Sequence, residues 1–483
     1  MSQRSFDFVI LGSGPSGQKA AIQAAKSGQS VLMVEREKAV GGICVHRGTI
    51  PSKTLRETTV IMERFRKRTA SVCSVNYPTN LRIDSLLTSV SEVVHGHVDY
   101  MSAQLERNQV ETIHGRGRFV GPHEIEIQLP GGKTETVRAE HVVIGTGSRP
   151  RRPDNVPIDH ENVFDSDSFL SMTYLPASLV VLGAGVIASE YASVFQTLGV
   201  TVTMIDKYDR PLGFLDPSLT DRFVQSFEEM GGRFIPNDSA KTVEWNGFDA
   251  VVTTTENGER IESDKLFCAL GRIPTIEGMG LEEIGVELTP RGFIAVNEDC
   301  QTSLAHIYAV GDVIGPPALA STAMEQGRRA TCHALGIELA QKPEQIPAGI
   351  YAIPEMSSVG LTEAAARERH GDILCGYSNF DELARGQIRD DTAGLLKLVT
   401  DATGTEILGV HIVGEDATEL VHVGQMAMMG GMSVDVFRDN IFNFPTLVEA
   451  YRVAAIDIVR QRSGNSGQSE RSGEAPAGRK KAA

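Results

Sequence analysis

Twice along the chain an apolar strand runs into a glycine turn, a helix of small residues and a second strand ending on an acid. The first copy reads FVIL, GSGPSG, KAAIQAAKSG, SVLMVE, and the second LVVLGAG, VIASEYASVFQTLG, TVTMID. Gly12 to Glu35 and Gly183 to Asp206 have the same spacing of 23 residues. A GxGxxG by itself is weak, but in a strand, turn, helix, strand setting it marks a unit that turns backbone amides and a helix N-terminus toward a pyrophosphate. The pattern predicts an α/β protein with two Rossmann-like dinucleotide-binding domains, Gly12, Gly14 and Gly17 forming one phosphate turn and Gly183, Gly185 and Ala188 the other.

The acids refine this. Glu35 stands where a carboxylate accepts ribose hydroxyls. Asp206 at the matching place favours NAD, because the 2′-phosphate of NADP would meet a like charge. Lys207 and Arg210 follow at once; either they offset that repulsion and admit NADP as well, or they are solvated loop charges.

At 483 residues the chain exceeds what one core serves, so two to four domains are expected. A third apolar strand, HVVIGTGSRP (141–150), precedes the second nucleotide unit, and TSLAHIYAVGD (302–312) follows it. The first fold therefore closes after the second has been inserted. From about residue 346 the runs IPAGIYAIPEMSSVG, LLKLVTD and EILGVHIVG read as antiparallel strands of an interface-type α+β domain. The expected division is 1–147 and 276–345 for the first fold, 148–275 for the second, 346–462 for the interface domain and 463–483 for a disordered polar tail.

A formal charge of −16 argues against an extended basic surface for nucleic acid or anionic lipid, and points to small-molecule partners. The six cysteines show no CxxC spacing, which fits neither a zinc site nor a secreted disulfide framework, and no metal site is read. No leader and no long apolar run is recognised, so a cytoplasmic location is expected.

The segments GSGPSG, GGICVHRGTIPSK, GTGSRP, GAGVIASE, TSLAHIYAVGD and NFPTLVEAYR occur in order, and with them the chain resembles the flavoprotein disulfide reductases, such as dihydrolipoamide dehydrogenase, from residue 5 to about 462. The resemblance implies that the first fold holds FAD and the second NAD or NADP. It places Gly42, Cys44, Lys53, Gly147 and Asp312 at the FAD site, Asp312 near the ribityl and phosphate region, and Gly271 with Glu190 at the nicotinamide coenzyme site. It also implies a C-terminal dimerisation domain, hence a homodimer or larger homo-oligomer, with the region of Phe444 and Glu449 set against the neighbouring subunit's flavin.

Two departures stand out. Disulfide reductases of this family read GGxCxxxGCIPSK, with a flavin-facing and an exchanging cysteine; here Cys44 keeps the exchanging place and Thr49 replaces the flavin-facing sulfur. A hydroxyl forms neither a disulfide nor a thiolate. The family's HPT segment, whose histidine pairs with a glutamate five residues later, reads NFPTLVE, leaving Phe444 without a titratable proton and Glu449 without its imidazole. Both losses strike the disulfide half-reaction.

The likeness is strongest to those members of the family that exchange hydride between NADPH and NAD, which implies a ping-pong exchange by way of FAD with no amino-acid nucleophile. By the same resemblance Lys53 and Glu190 form an ion pair beside flavin N5, and Thr49 lies against the ring. Cys44 is read as an ordinary buried thiol in preference to a sulfenate former. Competing readings are an NAD(P)H oxidase or quinone reductase, and a non-catalytic flavin-binding assembly protein.

Overall fold

The computed structural model describes residues 3–69, 83–339, 345–391 and 393–471. They fall into two units, residues 1–207 with 235–342 and residues 208–234 with 343–483.

The first unit opens on β1 (Arg4–Leu11), α1 (Pro15–Lys26) and β2 (Val31–Glu35). β1 lies parallel to β2, with Phe8 opposite Val31, and on its other side parallel to the strand Thr134–Ile144. Phe8, Val9 and Ile10 are all fully buried, because β1 has parallel neighbours on both sides and both faces of the sheet are covered there; this is why β1 reads as a continuous apolar run and does not alternate. The strand Ile307–Ala309 pairs with Thr134–Ile144, so the first sheet includes chain that follows the second βαβ unit. α1 packs on the helix Ala320–Ala334 through small residues. A Cβ on Gly327 would come within 2.1 Å of the Ser16 carbonyl oxygen, which explains the glycine.

The run 141–150, expected as one strand, is broken. Its first half ends the strand Thr134–Ile144, Gly147 turns at φ +70°, and Ser148–Pro150 forms a separate strand. That strand pairs antiparallel with Arg272–Pro274, so the segments entering and leaving the second fold cross side by side. The second sheet has Ser178–Leu182 at its centre, parallel to both Thr201–Ile205 and Lys265–Cys268, with Val163–Asp165 beyond. Its helix Val186–Thr197 is buried along most of its length, Glu190 included.

In the second unit five strands form an antiparallel sheet in the order Ala348–Ile350, Met356–Gly360, Ile407–Val413, Leu395–Asp401, Ile373–Asn379. The helix Glu449–Arg471 covers it and buries Ala450, Tyr451, Ala454 and Ile458 in the core. This helix continues past Ser463, where a disordered tail was expected, because a helix already formed adds a hydrogen bond for each residue it orders. Residues 472–483 lie outside the described residues. Among the described residues no helix is long and apolar enough to cross a membrane.

Candidate functional site

The three glycines of the first turn serve different ends. Gly12, at φ +102°, passes so close to the neighbouring strand that a Cβ would lie 2.4 Å from the Gly145 carbonyl oxygen, and a Cβ on Gly17 would meet the Gly12 carbonyl oxygen at 2.0 Å. These two are required by packing. Gly14 faces open space, with nothing within 4 Å of its Cβ position, and it starts α1 without any side-chain cap. The first-turn amides of α1 have no intrahelical acceptors, so the turn has the open face and the uncapped donors that a pyrophosphate needs.

Glu35 closes this turn. Its Oε2 accepts from the Ser13 amide at 2.8 Å and the Ser13 hydroxyl at 2.6 Å, and its Oε1 from the Glu37 amide at 2.9 Å. Oε2 is fully used by Ser13, and Oε1 keeps a lone pair for a ribose hydroxyl. The Ser13 hydroxyl in turn accepts from the Gly41 amide at 3.0 Å, and a Cβ on Gly42 would lie 2.9 Å from Gly14 Cα. The GGIC segment is thereby seated on the phosphate turn.

The second turn repeats the design. Gly183, at φ +100°, packs on the Ala269 carbonyl, Gly185 faces open space, and Ala188 is 1% exposed against its sheet. Asp206 Oδ2 accepts from the Ala184 amide at 2.5 Å, the counterpart of the Glu35 to Ser13 bond. Gly271, at φ +101°, and Gly147 also have open space at their Cβ positions. Of the two cations considered for a 2′-phosphate, Lys207 is exposed next to Asp206. Arg210 belongs to the second unit, where it is ion-paired with Asp221.

GGICVHRGTIPSK folds as α2 (Gly42–His46) followed by α3 (Thr49–Thr69), with Thr49 as the first residue of α3. Cys44 is a free thiol. Burial pushes it above the usual thiol range, the nearby Thr49 hydroxyl and the Lys53 charge pull the other way, and Asp312 adds to the rise. Cys44 lies in α2, and Thr49 and Lys53 in the first five residues of α3. One turn into α3, Lys53 Nζ reaches the Glu190 carboxylate at 2.6 and 2.8 Å, joining the two nucleotide folds. Asp312 sits in the short helix Gly311–Ile314 and accepts from the Ser148 hydroxyl at 2.7 Å. Ser13, Ser148, Asp167 and Arg272 escaped the sequence reading as site residues. Ser13 and Ser148 lie inside quoted motifs and Asp167 in the run DSDS (165–168), whereas nothing local marks Arg272.

Two βαβ turns open to phosphate, joined by a lysine and glutamate pair, define a two-nucleotide oxidoreductase. Residues 6–327 match the family model described as pyridine nucleotide-disulphide oxidoreductase, and residues 346–455 match that family's dimerisation domain. The chain belongs to the pyridine nucleotide-disulphide oxidoreductase family. It is 42% identical over 459 residues to a protein of Mycobacterium tuberculosis named soluble pyridine nucleotide transhydrogenase, covering 95% of this chain and 98% of the relative. A protein of the same name from Colwellia psychrerythraea is 39% identical over 464 residues, 94% of this chain and 98% of its own. Among solved structures, LpdA from Mycobacterium tuberculosis superposes with a TM-score of 0.86 at 26% identity, covering 94% of this chain and 99% of that one. The HOCl-induced flavoprotein disulfide reductase RclA from Escherichia coli gives 0.83 at 25% identity, covering 93% and 99%.

Proposed function

We propose that this protein exchanges hydride between NADPH and NAD, giving NADP and NADH, with FAD held at the first nucleotide turn and the two coenzymes taking turns at the second. The observation that carries the reading is the single free thiol of Cys44 beside the Thr49 hydroxyl, where a disulfide reductase needs two sulfurs, in a chain that keeps the Lys53 and Glu190 pair. The names of relatives matching 94–95% of the chain support it.

When bound, the flavin supplies a two-electron hydride store. The chain's own residues orient and stabilise. Gly14 and the first turn of α1 receive the FAD pyrophosphate, Glu35 the ribose, and Asp312 the ribityl region. Lys53 presents a fixed positive charge where negative charge develops, and Glu190 holds the ammonium in place. Thr49 offers a hydroxyl that gives up no proton at neutral pH. Gly183, Gly185, Ala188 and Gly271 accept the nicotinamide coenzyme, Asp206 its ribose, with Lys207 as the nearby cation that tempers repulsion of a 2′-phosphate. The domain of residues 346–462 forms a homodimer or larger homo-oligomer, with the region of Phe444 and Glu449 set against the neighbouring subunit's flavin, and the enzyme works in the cytoplasm.

The test is anaerobic mixing of the purified flavoprotein with NADPH and thio-NAD. Prompt formation of reduced thio-NAD is the expected result. Turnover only on admitting oxygen or a quinone, or rapid reduction of lipoamide or glutathione disulfide, overturns the reading.

A further inference from the structure

Asp312 is not positioned by its own segment. Its Oδ2 accepts from the Ser148 hydroxyl at 2.7 Å, and that hydroxyl accepts from Arg272 Nε at 2.8 Å. A guanidinium has no lone pair, so Ser148 can only accept from it, and the one hydroxyl proton is left to point at Asp312. Arg272 therefore sets the direction in which Ser148 donates.

The same guanidinium spans several segments. Nη2 donates to the Ser148 carbonyl at 3.0 Å, and Nη1 donates to Ser166 Oγ at 2.8 Å and to Asp167 Oδ1 at 3.2 Å. Arg272 and Asp167 are only 19% and 20% exposed, so water screens their pairing less than on an open surface. Asp167 also lies 3.9 Å from Arg47, in the turn between α2 and α3. One side chain thus fastens the crossing strands Ser148–Pro150 and Arg272–Pro274 to the loop after Val163–Asp165, and through Ser148 to Asp312.

We propose that Arg272 is a positioning residue for FAD, acting through the Ser148 hydroxyl on the Asp312 carboxylate. This rests on the role given to Asp312 above. Lysine cannot replace it, because a single ammonium lacks the planar fork that serves Ser148 and the 166–167 loop together.

The experiment is titration of apo-protein with FAD, followed by flavin fluorescence and visible absorption, for the wild type, Ser148→Ala, Arg272→Lys and the double variant, with thermal melting of each apo-protein alongside. Each single change is expected to weaken FAD binding about 10-fold, as loss of a hydrogen bond to a charged group does. The double variant is expected to bind no worse than the weaker single one, because both remove the same link. Effects on FAD affinity that multiply in the double variant overturn the proposal, as does unchanged affinity in Ser148→Ala, which removes a single hydroxyl. Binding is read without turnover, so the result stands apart from whether NADPH reduces thio-NAD.

Discussion

Lys53 Nζ lies 2.6 Å from Glu190 Oε2, so that the first turn of α3 is held against a helix of the other nucleotide fold, 137 residues further along the chain. Glu190 is 6% exposed at its side chain and Lys53 25%. Glu190→Gln keeps the shape and removes the charge that holds the ammonium. The expected outcome is a fall of about 100-fold in the rate at which NADPH reduces bound flavin, as for loss of other preorganised electrostatic groups. Anaerobic stopped-flow absorbance checks it, and an unchanged rate would remove the pair from the mechanism.

The Thr49 hydroxyl is near enough to the Cys44 thiol to pull its pKa down, so a sulfur at this position would stand near its partner. Thr49→Cys is expected to form a disulfide with Cys44 on mild oxidation, seen as the loss of two titratable thiols relative to the reduced variant. Lipoamide turnover stays low all the same, because Phe444 has no proton to lend to the departing thiol. Brisk lipoamide reduction by this variant would show that the single residue at 49 decides between the two activities.

Gly14 and Gly17 differ in kind although they share one motif. Gly14→Ala places its methyl in open space and at an ordinary backbone conformation, and the backbone-entropy gain of alanine offsets its poorer N-cap, so the apo-protein should melt near the wild-type temperature while FAD affinity drops sharply. In Gly17→Ala the methyl meets the Gly12 carbonyl oxygen at 2.0 Å, so the fold itself should lose stability by about 1–3 kcal/mol. Melting curves of the two apo-variants with FAD titrations decide the matter; equal destabilisation by both would refute the division of labour.

In the second unit Lys397, 3% exposed, reaches Asp216 at 2.9 Å and Glu363 at 2.7 Å. Burial disfavours the Asp216 charge, yet His411, the Ser218 hydroxyl, the Glu363 amide and the Lys397 ammonium outweigh it and hold this carboxyl well below its usual range. Burial likewise opposes the Lys397 charge, and its two carboxylate partners raise it above the usual lysine range all the same. A depressed carboxylate contributes stability that is present above its unfolded value of about 4 and lost as pH falls through the folded one. A raised lysine contributes stability present below about 10.5 and lost as pH climbs through its folded value. Denaturant unfolding should therefore be pH-sensitive below about pH 4 and above about pH 10.5. Lys397→Met, which leaves the buried Asp216 without its ammonium while Glu363 keeps Arg367, should cost about 3–5 kcal/mol at pH 7. A cost below about 1 kcal/mol, the range of exposed pairs, would deny the cluster its structural part.

Both nucleotide folds were legible without coordinates because their code is local. A strand, a glycine turn, a helix of small residues and a terminal acid are set by neighbours a few residues apart, and so were the missing sulfur at Thr49 and the missing imidazole at Phe444. The broken strand at Gly147 was not legible, since an apolar run has the same look whether or not it turns partway. The prolonged helix to Arg471 was hidden by a polar composition that says nothing about a helix begun upstream. Only the tertiary structure decided what the terminal acids hold, Ser13 for Glu35 and Ala184 for Asp206. It alone brought Arg272 to Ser148 and Asp312, and Lys397 to Asp216, which are 181 positions apart in the chain. Such meetings depend on how whole sheets and helices pack, and no pattern within a short stretch of residues encodes that.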